Sequence, residues 1–325
     1  MNDGLSSPTP LPVLGFLGTG LMAAPMIRRL LSAGYTVHVW NRTAAKAQPL
    51  IDAGAIAVAT PRSLAHGADI VLMCVMDADA VAATIFGGGG LGEGAGAIGG
   101  VGGASMGPPL RAKILVDHSS IKPDATRRFA QQLKSATGID WIDAPVSGGV
   151  AGAVAGSLAI MCGGDPSAIE TVTPVLRAYS GKVTRMGDVG AGQTTKLINQ
   201  ILVCSVLTTL AESVTLALAA GIDAARLPEA LAGGFADSKP LQVFAPRMVN
   251  GYQDAIGTLA TLLKDIDTAV ELARSLNCAL PMAASAQQLL RLMSARGLAE
   301  ADPSDLIQLF RDNPVVRQPT AATIR

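Results

Sequence analysis

Short runs of consecutive apolar residues alternate with stretches of helical period over the first 190 or so positions, and beyond them the helical period takes over. Residues 13–41, VLGFLGTGLMAAPMIRRLLSAGYTVHVWN, read as a short buried strand, a glycine turn, a helix carrying Arg28 and Arg29, a stopping Gly34 and a second strand. That is one βαβ unit. Further strand-like runs lie at Ile70 to Val75, Ile114 to Asp117, Trp141 to Ala144, Leu158 to Cys162 and Lys182 to Met186, most of them separated by helix-like segments. They predict an α/β architecture, a mostly parallel, doubly wound sheet covered by helices. From Gly187 to Phe310 almost everything is helical in period, with breaks such as Gly221, Pro240, Gly257 and Pro281, which predicts an all-α second domain. Thr194 to Ala220 predicts a single interdomain helix of about 27 residues, ~40 Å long at 1.5 Å per residue.

Composition narrows the class. The 325 residues carry 25 basic and 25 acidic side chains, and 49% are apolar. A neutral, apolar-rich chain of this length suits two globular domains and gives no electrostatic footprint for nucleic acid. The start, MNDGLSSPTPLP, lacks the basic region and apolar stretch of a signal peptide, so a cytoplasmic protein is expected. The apolar run from Ile201 to Ala220 holds Glu212 and several Ser and Thr, which reads as a buried helix and not a membrane span. Cys74, Cys162, Cys204 and Cys278 are far apart and lack metal-ligand spacing, so free thiols and no metal are expected. Of 36 glycines, 12 fall between Gly87 and Gly107, which marks 87–109 as a flexible surface insertion. Lengthening such a loop costs only roughly 0.6 kcal/mol per doubling.

Three segments carry candidate chemistry. Gly18-Thr19-Gly20-Leu21-Met22-Ala23 is the G-x-G-x-x-G/A pattern after a strand and at the start of a helix. Its glycines allow a tight turn and close approach of backbone to a pyrophosphate, and the free N–H groups of the helix start favour the anion. The second strand ends in Asn41-Arg42-Thr43, with no carboxylate for the ribose hydroxyls; Arg42 suits a 2′-phosphate, so NADP(H) is favoured over NAD(H). A plain solvated surface charge is the other reading of Arg42. Asp143 to Ala153, DAPVSGGVAGA, presents Ser147, Gly148 and Gly149 together at a strand end, a nest suited to a carboxylate. Lys196 stands alone in an uncharged run of about thirty residues at the start of the long helix, where desolvation would lower its pKa and fit it to proton transfer. Asn199 lies one turn on, on the same face.

These motifs, with VDHSS at Val116 to Ser120, GAGQTTKLINQ at Gly190 to Gln200 and LLKDIDTA at Leu262 to Ala269, resemble in order and spacing those of the β-hydroxyacid dehydrogenase family, which includes 3-hydroxyisobutyrate dehydrogenase and several semialdehyde reductases. The resemblance covers residues 13–310. It implies a Rossmann domain at 13–189 and an all-α substrate and oligomerisation domain at 190–312, with flexible ends at 1–12 and 313–325. It implies an NAD(P)-dependent oxidoreductase that moves hydride between nicotinamide and a short 3-hydroxy acid or its semialdehyde, with Lys196 and Asn199 catalytic. Substrate contacts fall on Ser119, Ser147, Gly148, Gly149 and Gln200. Cofactor contacts fall on Gly18 to Met22, Asn41 to Thr43, Val75, Met76, Lys264 and Asp265. A homodimer or homotetramer without nucleic-acid or membrane partners is implied.

Two segments, VDHSSIKPDATRRFA from Val116 and LAGGFADSKPL from Leu231, resemble those of tartronate semialdehyde reductases. Two others depart from the pattern: Cys74-Val-Met-Asp77 lacks a proline, and GTLATLL before Lys264 is more apolar. Substrates of the 3-hydroxyisobutyrate or glyoxylate and succinic semialdehyde type therefore stay open, as does a non-catalytic dinucleotide sensor. His118, beside Ser119, is read as structural because strand alternation points it away.

Overall fold

The computed structural model describes residues 10–93 and 109–311; most of the expected flexible start, most of the glycine-rich insertion and the expected tail lie outside them. The chain divides into two units that meet between Lys196 and Leu197.

The first unit is built on one sheet. Its elements are β1 (Leu14–Leu17), α1 (Ala23–Ser32), β2 (Val37–Trp40), α2 (Gln48–Ile51), β3 (Ile56–Ala57), α3 (Pro61–Gly67), β4 (Ile70–Met73), α4 (Ala78–Phe86), β5 (Ile114–Asp117), α5 (Pro123–Thr137), β6 (Asp140–Asp143), β7 (Val146–Ser147), α6 (Gly149–Ala155), β8 (Leu158–Gly163), α7 (Pro166–Leu176) and β9 (Ser180–Gly187). The order β3-β2-β1-β4-β5-β6 is parallel throughout and is the doubly wound dinucleotide-binding order. β8 then joins antiparallel to β6, with β7 and β9 beside it. Side-chain alternation splits the core by face. Leu14, Phe16, Ile70, Leu72, Ile114 and Val116 point to one side, and Leu17, Val71, Met73 and Leu115 to the other. Gly15 lets α3 press onto β1, since a Cβ there would fall 1.9 Å from Leu64.

Every strand-like run of the sequence is a strand, but β4 stops at Met73 and not Val75. Cys74 N–H still donates to Leu17 O, whereas Val75 N–H turns away to Ser119 Oγ. β3 and β7 have two residues each, too short to show alternation.

The second unit holds most of α8 (Ala191–Ala219), then α9 (Leu227–Leu231), α10 (Lys239–Asn250), α11 (Leu259–Ser275) and α12 (Pro281–Ala295). Cys204, Leu207, Ala211 and Val214 of α8 pack with Leu241, Ile266, Ala286, Leu290 and Met293 in one apolar core. Each fully buried large apolar side chain there contributes about 1.5–3 kcal/mol. α8 is long and apolar enough to span a membrane by length and composition, yet its inner face is this core. It starts three residues before the expected Thr194, and the cause lies in the sheet.

Candidate active site

Strand order reverses between β1 and β4, so the crevice for a ligand opens beyond their carboxyl ends. Gly18 stands there with φ +94°, and a Cβ on it would meet Cys74 O at 2.4 Å. Gly18 N–H donates to Trp40 O at 2.8 Å and Thr19 N–H to Asn41 Oδ1 at 3.1 Å, while Asn41 Nδ2 donates to Thr43 O at 2.8 Å. The turn is thus held from the β2 end. α1 receives no side-chain cap, Gly20 has open space where a Cβ would sit, and the buried Thr19 Oγ1 has no hydrogen-bond partner. Uncapped N–H groups, an orphaned hydroxyl and a glycine with free approach fit a dinucleotide pyrophosphate. Around this turn Leu21 and Met76 are exposed, Met22 and Val75 half-buried, and Arg42 and Thr43 on the surface.

The next two strand ends carry a different construction. Asp117 and Asp143 are register partners at the last positions of β5 and β6, and both are buried. Asp143 Oδ1 accepts from Gly190 N–H at 2.7 Å and its Oδ2 from Gln193 N–H at 2.8 Å. Its carboxylate therefore caps α8 from a strand 47 residues earlier, which is why that helix begins at Ala191. Burial raises the Asp143 carboxyl to about 6, against the lowering pull of these N–H bonds. Gln193, also buried, donates through Nε2 to Ser119 O at 2.6 Å and accepts from Ile121 N–H at 3.3 Å. Lys196 follows one turn later, half-buried.

Burial lifts the Asp117 carboxyl to about 7; Oδ1 accepts from Ser119 N–H at 2.9 Å, and Oδ2 has no partner. Ser119 is 2% exposed, and its hydroxyl serves Val75 N–H and Asp117. It thus holds the Val75–Met76 loop against β5. His118 is buried, with Nδ1 on Ala144 O at 2.6 Å and Nε2 on Tyr179 Oη at 2.9 Å, and burial pushes it down to about 4. A ring so held is a structural element. Ser147 is half-exposed on β7, followed by Gly148 (φ +131°) and Gly149 (φ +62°) at the surface.

In the second unit Asn199 Nδ2 donates to Gln200 Oε1 and Gln200 Nε2 to Asp265 Oδ2, each at 2.8 Å. Lys264 Nζ lies 3.5 Å from Asp265 Oδ1. Four residues singled out by the sequence thus form one chain, with Asp265 buried and Lys264 half-exposed. The role of Asp143 and of Gln193 was not legible beforehand. Their only signal was a glycine-rich helix entry, GAG, without a local Ser, Thr, Asp or Asn at the capping position.

Residues 13–187 match the NAD-binding domain of 6-phosphogluconate dehydrogenase, and residues 190–310 match the family described as NAD-binding of NADP-dependent 3-hydroxyisobutyrate dehydrogenase. The 2-hydroxy-3-oxopropionate reductase of Escherichia coli K12 is 36% identical over 295 residues, covering 91% of this chain and 96% of that protein. The 3-hydroxyisobutyrate dehydrogenase of Salmonella typhimurium superposes with a TM-score of 0.76 at 26% identity, covering 91% of this chain and 99% of that one. Psf3 in complex with NADP+ and 2-OPP gives 0.76 at 26%, covering 92% and 100%.

Proposed function

The chain belongs to the β-hydroxyacid dehydrogenase family, an oxidoreductase family that uses a nicotinamide cofactor, and from that premise we propose an NADP(H)-preferring reductase of a short carboxylate semialdehyde. The observation that carries this reading is one sheet edge with an uncapped, anion-ready turn at α1 and a lysine one turn past the anchored start of α8. Gly18 to Met22 would hold the pyrophosphate, and Arg42, with Asn41 and Thr43, the 2′-phosphate. The nicotinamide, when bound, supplies or accepts the hydride.

The chain's own residues do the rest. Ser147 and the N–H groups of Gly148 and Gly149 bind the substrate carboxylate. Lys196 gives its Nζ proton to the carbonyl oxygen in reduction, and in its neutral form takes the hydroxyl proton in oxidation. Asn199, one turn along the same helix, orients the group that Lys196 serves. Tartronate semialdehyde is the proposed substrate, supported by the name of the Escherichia coli relative. We place the protein in the cytoplasm as a homodimer or homotetramer. Leu202 and Leu216, exposed on α8, support self-association.

The test is a panel of tartronate semialdehyde, glyoxylate and succinic semialdehyde with NADPH and NADH, and of 3-hydroxyisobutyrate with NADP+ and NAD+. The fastest turnover is expected with tartronate semialdehyde and NADPH. Tight NADPH binding without turnover on any member overturns the enzyme reading. Arg42→Ala should weaken NADPH about tenfold more than NADH; equal losses remove the 2′-phosphate role.

A further inference from the structure

α8 is capped in an unusual way for this chain. α3, α4, α7, α10 and α11 take their side-chain caps from the residue just before the helix: Thr60, Asp77, Asp165, Ser238 and Thr258. α8 instead takes its cap from Asp143, at the end of β6. A local cap satisfies N–H groups wherever the helix goes, whereas a cap from a strand end also fixes where the helix is.

Two more constraints act on the same turn. The Gln193 amide bridges Ser119 O and Ile121 N–H, just past the end of β5. At Gly192 a Cβ would fall 2.3 Å from Met161 O and 2.6 Å from Asp143 O, so the helix backbone lies directly on β6 and β8. Asp143 sets the axial position, the Gly192 contact the distance from the sheet, and Gln193 the rotation. Rotation matters most for a long side chain, because a slip of one residue turns an α-helix by about 100° and carries a lysine amine several ångströms.

We propose that Asp143 and Gln193 are positioning residues for Lys196, setting the register and rotation of α8 so that the Lys196 amine stands where a proton must pass. The inference rests on the reading of Lys196 as the proton-transferring group. It concerns how that group is held, since neither residue is assigned a contact with substrate.

Gln193→Met tests it, keeping side-chain length and removing both amide bonds. Asp143→Asn, which keeps the shape and one acceptor oxygen, decides if the first variant does not fold. Two quantities are measured: steady-state kinetics against pH, and the pH midpoint for acylation of Lys196 by an amine reagent, read by peptide mass mapping with Lys134 as internal reference. The second needs no turnover. For Gln193→Met the expected result is a kcat lower by about 10- to 100-fold with NADPH affinity within about twofold of wild type. The Lys196 acylation midpoint and the matching limb of the pH profile should move together by about half a unit or more, with Lys134 unmoved. Asp143→Asn should move the same quantities in the same direction by less.

A folded variant with wild-type kcat and Lys196 midpoint overturns the proposal. So does an equal loss of kcat and cofactor affinity with the Lys196 midpoint unmoved, which would make the bracket a fold support only. If the midpoint moves but the wild-type protein turns over none of the semialdehydes, the positioning stands and the proposed activity falls.

Discussion

Two helices begin at the carboxyl edge of the same sheet and are finished in opposite ways. At α1 the first turn is left open: no side chain caps it, Gly20 faces free space, and Asn41 braces the loop from the side without filling it. At α8 the first turn is closed. A buried carboxylate occupies the N–H groups of Gly190 and Gln193, and the glycine at 192 is packed against two strands. A helix start carries a partial positive charge in either case. Left open, it offers that charge to a mobile anion; filled from within, it fixes the helix and whatever the helix carries. Glycine serves both ends for different reasons, access at Gly20 and contact at Gly192.

The comparison breaks most visibly at the group that the closed end presents. Lys196→Ala should lower kcat by about 10²–10⁴-fold while NADPH titration stays near wild type, and a variant retaining most of its turnover removes the lysine from the chemistry. Next in size is Gly192→Ala. With backbone oxygens at 2.3 and 2.6 Å from the new methyl, α8 must lift off the sheet, and thermal unfolding should show a loss of about 3 kcal/mol or more. Gly20→Ala is the matched control at the open end: its melting should stay within about 0.5 kcal/mol of wild type, while dinucleotide affinity falls about tenfold. A Gly20→Ala protein that melts as early as Gly192→Ala would erase the distinction.

The last test is electrostatic and concerns Asp117, the register partner of Asp143. Burial raises the folded-state pKa of Asp117 from the ordinary carboxylate range to about 7, so its contribution to stability is fully present below about pH 4 and is lost as pH rises through about 7. Asp117→Asn removes the titration. The variant should gain on wild type in chemical unfolding as pH climbs from 4 to 7, with the gain shrinking toward acid. A difference that does not change with pH means that Asp117 does not titrate in this window.

Much of this was readable along the chain because it is local. The βαβ unit at 13–41, the glycine turn, the Asn41-Arg42-Thr43 end of β2 and the long apolar helix each depend on neighbours a few positions away, so period and spacing reveal them. The α8 bracket is not local. Asp143 stands 47 residues before Gly190, and Gln193 reaches back 74 residues to Ser119, so nothing in the spacing of either motif announces the pairing. Ser119 shows the same limit. The resemblance makes it a substrate contact, and its burial two residues past the end of β5, with its hydroxyl on Val75 N–H, depends on partners far from it in the chain. His118 was legible from alternation alone, since an inward ring on a strand end needs only partners, and Ala144 O and Tyr179 supply them.

The first turn of α8 belongs by its contacts to the first unit, although by composition it opens the second. That has a consequence for recombination. A gene fragment ending at Val189 would encode a sheet with the Asp143 carboxylate facing a missing helix and a gap where Gln193 should close on Ser119. A hybrid joined there works only if the incoming helix brings glycine at 190 and 192 and glutamine at 193. The seam along which this chain can exchange its halves runs inside the helix, past Lys196, and not through the glycine-rich turn before it.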